Sequence, residues 1–295
     1  MIRKTHHFLV LDPSSWPVIS TLNIFRIFFS FLIFLKLGIL INLVLRAFLL
    51  LLSRFSWWFN YRKELNMTGS MRKNIENRLK FSMILFISSE VFFFFSFFWS
   101  YFHFFLAPDL EVRFSWPFFS LKRFDPFGVP LLNTFILLSS GVTITISHYF
   151  ITKKKNSHSL IFSFITVFLG LFFSFLQWIE YKNSFFSITD GSFGSSFFIL
   201  TGFHGLHVII GTVFILVNLK YFRKFSFHVR SIVSFEIAAW YWHFVDVVWI
   251  FLYFCLYYSN IYLFSLIKNV ALKMLKNKGI KLSRSLWHIF LPNKC

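Results

Sequence analysis

Between Phe81 and Ala107 the chain reads FSMILFISSEVFFFFSFFWSYFHFFLA, an apolar run that carries a single acid, Glu90. A helix needs ~20 mostly apolar residues to cross the hydrocarbon core of a bilayer, and this stretch is long enough. A carboxylate near its centre costs ~2.5–3.5 kcal/mol on insertion scales, so such groups face the inside of a bundle, where a partner, water or a proton removes the penalty. Met83, Phe86, Phe94 and Phe97 lie on or near the same helical face as Glu90. Two readings stay open at this point. Glu90 is either a neutral side chain bonded to a neighbouring helix or a site coupled to proton or ion chemistry. His207 and His243 are its candidate hydrogen-bond partners.

The rest of the chain repeats this pattern. Seven apolar spans are read at roughly Pro17–Lys36, Gly38–Asn60, Leu79–Leu106, Val129–Thr152, Ser157–Tyr181, Gly194–Tyr221 and Ser234–Ser259. The sequence is 57% hydrophobic and 23% aromatic, and its mean hydropathy is +0.66, which places it among membrane proteins. The fold class expected is therefore all-α, a polytopic membrane protein with seven transmembrane helices. A formal charge of +19 would suggest nucleic acid in a soluble protein. Here the cations fall mainly in short connections between apolar runs, where membrane orientation explains them and no nucleic acid is needed. Lys and Arg crowd the segments around Arg62–Arg78, Lys153–Lys155 and Lys220–Arg230, and that asymmetry predicts an N-terminus on the inner side. Forty-nine Phe against eleven Gly is the bias of an AT-rich gene, as in an organelle genome. Cys255 and Cys295 form no CxxC pair, which argues against a disulfide framework or a Cys-based metal site.

Three further stretches carry polar groups at membrane depth. In TGFHGLHVIIGT, His204 and His207 are three residues apart, and Gly202, Gly205 and Gly211 would let another helix approach closely. Metal or haem ligation is one reading of the two histidines; buried, hydrogen-bonding histidines are the other. In FEIAAWYWHFVDVVWIFLYF, Glu236, Trp240, His243 and Asp246 fall within about a third of the helix circumference. Such a stripe should face inward and be paired, as a polar seam or as a proton-conducting line. Ser139, Ser140, Thr143 and Thr145 suit hydrogen bonds between helices. Trp57 and Trp58 above Arg62, Lys63 and Glu64 make an interfacial anchor and a phospholipid head-group site. Glu180 falls near the outer interface. Beyond residue 260, Ile267, Val270, Ala271, Met274 and Leu275 share one face with lysines largely opposite, so residues 261–295 are expected to form a basic amphipathic extension to a membrane domain spanning 1–260.

Taken together, these strings resemble subunit III of the haem–copper cytochrome c oxidases, in particular the mitochondrial kind. The resemblance rests on Asp12-Pro13-Ser14 with Trp16-Pro17, on Trp57-Trp58, on Met83 to Val91 around Glu90, and on Val129 to Thr134. It continues through Thr189-Asp190-Gly191, Gly202 to Gly211 and Ala238 to Trp249. The family implies a pair of helices and a group of five around a lipid-filled cleft, in the mitochondrial inner membrane with the N-terminus on the matrix side. It implies partners in oxidase subunits I and II and further accessory subunits. Haem and copper would belong to those partners, leaving this chain with no cofactor of its own except bound phospholipid: cardiolipin, phosphatidylglycerol or phosphatidylethanolamine. The implied role is non-catalytic. The chain would stabilise subunit I, shield its proton-entry region and keep a lipid-lined route for dioxygen while electrons pass from cytochrome c to oxygen. Glu90 takes the family's buried carboxyl position near the proton-uptake region. Trp57, Trp58, Glu64, Arg223 and His228 match lipid-contact positions, with Arg62 or Lys63 as the basic partner. Ser70-Met71 stands where the family has a histidine after the glycine, and Gly128 where the mitochondrial kind often has an acid. The homologous subunit of a quinol oxidase is the alternative. A free-standing transporter using Glu90, Glu236 and Asp246 is a third reading, but it expects internal repeats and broken helices that the sequence does not display.

Overall fold

The structure, a computed structural model, describes residues 13–67, 73–107, 124–224 and 229–259; side chains at 61–67, 73–75, 221–224 and 229–231 lie outside that description. These residues form seven α-helices: α1 (Trp16–Leu37), α2 (Leu40–Met67), α3 (Lys73–Leu106), α4 (Val129–Thr152), α5 (Asn156–Lys182), α6 (Gly191–Lys224) and α7 (Val229–Leu252). A π-helical turn, Tyr253–Tyr258, extends α7. All seven are long and apolar enough to cross a membrane, as the sequence predicts. The chain divides into two compact units between Phe81 and Ser82, inside α3. The first holds α1 and α2; the second holds α4 to α7 and most of α3.

In the first unit the break between α1 and α2 falls at Gly38. Its φ of 70° is the left-handed conformation that ends helices, and its N–H donates to the Phe34 carbonyl. The buried residues of α1 are Ser20, Asn23 and Ser30, not its phenylalanines. Asn23 Nδ2 donates to Ser53 Oγ of α2 at 3.1 Å. Lipid tails are as apolar as Leu and Phe, so nothing drives those side chains inward; small and polar residues form the contact instead.

The same logic organises the second unit. On α4 the buried residues include Asn133, Leu137, Ser140, Ile144, Ser147 and Ile151, and on α5 Ser159, Ser163, Thr166, Gly170, Phe173, Gln177 and Glu180. Both series alternate steps of four and three, a 3.5-residue repeat that keeps one stripe of each helix on its neighbour. The two stripes meet in one antiparallel register. Asn133 Nδ2 faces Gln177 Oε1 at 3.5 Å, Thr143 Oγ1 lies 2.8 Å from Thr166 Oγ1, and Ser147 Oγ lies 2.6 Å from Ser163 Oγ. Of the hydroxyls expected to bridge helices, Ser140, Thr143 and Thr145 do so; Ser139 bonds back to the Ile136 carbonyl of its own helix.

Trp242 of α7 joins three helices at once. It is fully buried, and its Nε1 donates to Ser140 Oγ of α4 at 2.8 Å. Its ring fills a slot floored by two glycines. A Cβ at Gly170 of α5 would stand 2.6 Å from Trp242 Cη2, and one at Gly211 of α6 would stand 2.9 Å from Cε3. Gly202 and Gly205 behave differently from the close-approach role expected of them: among the described residues nothing lies within 4 Å of a Cβ at either.

α3 joins this unit through aromatic side chains. Phe203 of α6 packs edge-on to Phe93 (5.0 Å, 89°) and stacks with Phe97 (5.2 Å, 20°). Nearer the other end, buried Tyr101 donates its hydroxyl to the Cys255 carbonyl in the π-helical turn at 3.0 Å. A π turn shifts the backbone out of its i→i+4 ladder, and here Tyr101 meets one of its carbonyls.

Gly170→Ala should lower stability by ~1–3 kcal/mol, because neither the indole nor Thr212 Cγ2, 2.5 Å from the added carbon, has room to retreat. Gly202→Ala should be neutral or slightly stabilising, since Ala is the better helix former by ~1 kcal/mol. Thermal melting of the two variants in detergent micelles checks the pair; equal melting temperatures would refute the slot.

Candidate functional site

The polar residues inside the second unit do not form one cluster. α3, α6 and α7 bring Glu90 and His207 together. Glu90 Oε2 lies 2.9 Å from His207 Nε2, and His207 Nδ1 lies 2.7 Å from the carbonyl oxygen of Phe203 on the preceding turn. A carbonyl only accepts, so Nδ1 carries a hydrogen. Nε2 then either accepts a proton held by the carboxyl or donates its own to a carboxylate. Both arrangements contain the same number of protons and sum to zero charge. The pair therefore shares one proton across a 2.9 Å bond and needs no further counter-ion in the membrane. Phe94 packs edge-on to the imidazole at 5.0 Å, and Tyr241 stacks on it at 6.3 Å. The Glu90 side chain keeps 21% of its surface and His207 keeps 11%. Among the two partners expected for Glu90, the structure places His207 there. His243 lies elsewhere.

His204 corrects the expectation of a hydrogen-bonding histidine. It is fully buried, and neither ring nitrogen has a hydrogen-bond partner among the described residues. The ring instead packs edge-on to Phe173 at 5.7 Å and against Trp249 at 5.2 Å. Two residues three apart on a helix differ by about 60° in direction. That turns His207 toward α3 and His204 toward α5 and α7. The two imidazoles have separate surroundings, and among the described residues no three His, Cys, Asp or Glu side chains converge as metal ligands would.

The α7 stripe is a seam of unequal members. Asp246 is buried, while Glu236, Trp240 and His243 are half-buried. His243 Nε2 lies 3.3 Å from Thr145 Oγ1 of α4. His243 Nδ1 and Asp246 Oδ2 are 3.9 Å apart, too far for a hydrogen bond. These two members of the stripe are therefore not hydrogen-bonded to each other. Asp246 fits only because α4 has a glycine opposite: a Cβ at Gly141 would lie 2.6 Å from its Oδ2.

Around the expected lipid site, Trp57 and Trp58 are half-buried on α2, and the Arg54 guanidinium lies 5.6 Å over the Trp57 ring. Arg62, Lys63 and Glu64 fall within the last two turns of α2, and Arg223 in the last turn of α6. Their side chains, His228, and the extension 261–295 lie outside the described residues. Glu180 lies two residues from the end of α5, and it is packed inside the bundle. It is 4% exposed at the end of the α5 seam, where Tyr257 donates its hydroxyl to Oε1 at 2.7 Å. The signal was its spacing: Glu180 follows Gln177, Phe173 and Gly170 in the same four-three phase.

Residues 6–261 match the family described as "Cytochrome c oxidase subunit III". The chain belongs to the cytochrome c oxidase subunit III family. It is similar to the cytochrome c oxidase subunit 3 of the sea urchin Paracentrotus lividus, 44% identical over 258 residues that cover 88% of this chain and 99% of that protein. The coelacanth Latimeria chalumnae protein of the same description is 42% identical over 258 residues, with the same coverage. That of the starfish Pisaster ochraceus is 43% identical over 253 residues, covering 86% of this chain and 97% of its own. The family match takes in Glu90 and His207 as well as the Trp242 slot, and ends just past the π-helical turn.

Glu90→Gln should retain the bond, because an amide N–H can donate to Nε2 while Nδ1 still donates to Phe203. Glu90→Ala strands Nε2 in an apolar setting, at a cost of ~1–3 kcal/mol. Melting curves of both variants, with oxidase turnover of complexes containing them, check this. Loss of electron transfer in Glu90→Gln would make Glu90 catalytic instead.

Proposed function

We propose that this chain is the non-catalytic subunit III of a mitochondrial cytochrome c oxidase, working inside the inner membrane beside subunits I and II. The observation that carries this reading is the match along 99% of the length of a cytochrome c oxidase subunit 3 relative. The redox chemistry, electron transfer from cytochrome c to dioxygen, belongs to haem and copper in the partner subunits. This chain's share is mechanical and electrostatic: it buttresses subunit I, covers its proton-entry region and supports access of dioxygen through lipid. The Glu90–His207 pair suits such a role. It holds a labile proton at membrane depth without net charge, so it can polarise its surroundings without the cost of an isolated ion. The inward position of the N-terminus follows from the clustering of Lys and Arg. Trp57 and Trp58, with Arg62 and Lys63, are proposed to hold the head group of an anionic phospholipid, with Glu64, Arg223 and His228 as further contacts. The basic extension beyond residue 260 is proposed to lie on lipid or on a partner subunit.

Purification of the chain from its native membranes should yield a complex with haem–copper subunits that oxidises reduced cytochrome c. Turnover with quinol in place of cytochrome c would identify a quinol oxidase subunit, and purification as a lone chain would remove the oxidase reading altogether. In the same preparation, replacing Arg62 and Lys63 by Gln should lower the content of co-purified cardiolipin or phosphatidylglycerol.

A further inference from the structure

α5 and α6 are in close contact at Gly170, where an added Cβ would stand 2.5 Å from Thr212 Cγ2. On the side of that contact where α5 starts and α6 ends, the outer surface of the pair forms an open groove of about 890 Å³. Leu160, Ile161 and Phe164 of α5 and Val213, Leu216 and Lys220 of α6 are among the residues that line it. Lys220 is its one polar side chain; the rest of the lining is Leu, Ile, Val and Phe. Along α6 the lining runs from Val213 to Lys220, ~10 Å at the rise of a helix and about a third of the hydrocarbon thickness.

Charge gathers at one end of the groove only. Lys153, Lys154 and Lys155 form the turn into α5, and Leu160 follows within a turn and a half of helix. Leu160 lines the groove together with Lys220, so the turn and Lys220 share this end. All four lysines are exposed, and none has an ion-pair partner among the described residues. Lys153 lies instead over the Tyr149 ring at 5.8 Å. α4, α5 and α6 carry a single carboxyl group between them, Glu180, near the opposite end of α5.

We propose that this groove seats one acyl chain of an anionic phospholipid, whose phosphate is held by Lys220 with the Lys153–Lys155 turn beside it. Two features select this occupant. Membrane helices pack on one another through small residues that let the backbones approach, and the lining contains no Gly, Ala, Ser or Thr. A flexible chain can follow such a wall of bulky side chains, where a partner helix lacks a close fit. The head group then ends among four cations with no carboxylate to receive an ammonium group, which favours a lipid of net negative charge over a zwitterionic one. This position shares no residue with the lipid site proposed at Trp57, Trp58, Arg62 and Lys63, and it does not depend on which electron donor the oxidase uses.

The test uses the intact complex containing this chain, purified in detergent and mixed with phosphatidylglycerol that carries a photoreactive diazirine on one acyl chain. Mass spectrometry of the digested chain maps the label. Label is expected on residues 160–165 and 213–217, and an excess of unlabelled phosphatidylglycerol should remove it while phosphatidylcholine does not. Lys220→Gln should lower this label about fivefold, the worth of one basic residue at an anionic surface, and Lys220→Arg should restore it. Label on the Trp57–Trp58 segment of the same sample should be unchanged by Lys220→Gln, which separates this site from the one on α2. Equal competition by phosphatidylcholine, or undiminished label in Lys220→Gln, would overturn the proposal. So would the absence of label from both segments, the result expected where a neighbouring subunit covers the groove.

Discussion

A polar side chain carried into a bilayer is favoured where it meets a partner inside the protein, and such pairs link the helices of the second unit. Trp242 reaches Ser140, Trp249 Nε1 donates to Thr134 Oγ1 at 3.0 Å, Ser234 Oγ donates to Asn218 Oδ1 at 2.6 Å, and Tyr257 reaches Glu180. Individually such bonds are worth ~0.6–2 kcal/mol in membranes. Together they set rotation and register, because each works only when two specific faces meet. The apolar side chains that would dominate a soluble core are largely turned outward here; Phe164, Phe168 and Phe175 of α5 are all exposed.

The Glu90–His207 pair follows the same preference and goes one step further. Phe203 both accepts the Nδ1 hydrogen through its carbonyl and, through its ring, receives Phe93 and Phe97 of α3. One residue therefore fixes the imidazole tautomer and docks the helix that brings the carboxyl. Orientation of the histidine and placement of the acid are not independent, which explains why α3 can rely on aromatic side chains for much of its hold.

Much of the fold was legible in the sequence, because a span of ~20 apolar residues has few alternatives to a transmembrane helix. All seven spans are present in the structure. Rotation about the helix axis was harder to read. In a helix that is apolar all round, no hydrophobic face marks the inside, so His204 and His207 could be placed at depth but not assigned to different neighbours. Gly211 lines the Trp242 slot and Gly202 does not, although both stand in the same motif. For Glu180, distance from the end of the span gives its depth, and its phase with Gly170 and Gln177 gives its burial.

The Trp242 slot has a consequence for how the chain is made. Its floor and one wall come from Gly170, Gly211 and Ser140, all of which leave the ribosome before the side chain that fills them. Until α7 enters the membrane, α4, α5 and α6 enclose a groove the width of an indole, with a serine hydroxyl exposed in it. Insertion in order from the N-terminus can place these helices but cannot finish them. The last span acts as a keystone, and an interrupted translation product that stops short of it should be an open, lipid-filled bundle and a substrate for membrane proteases.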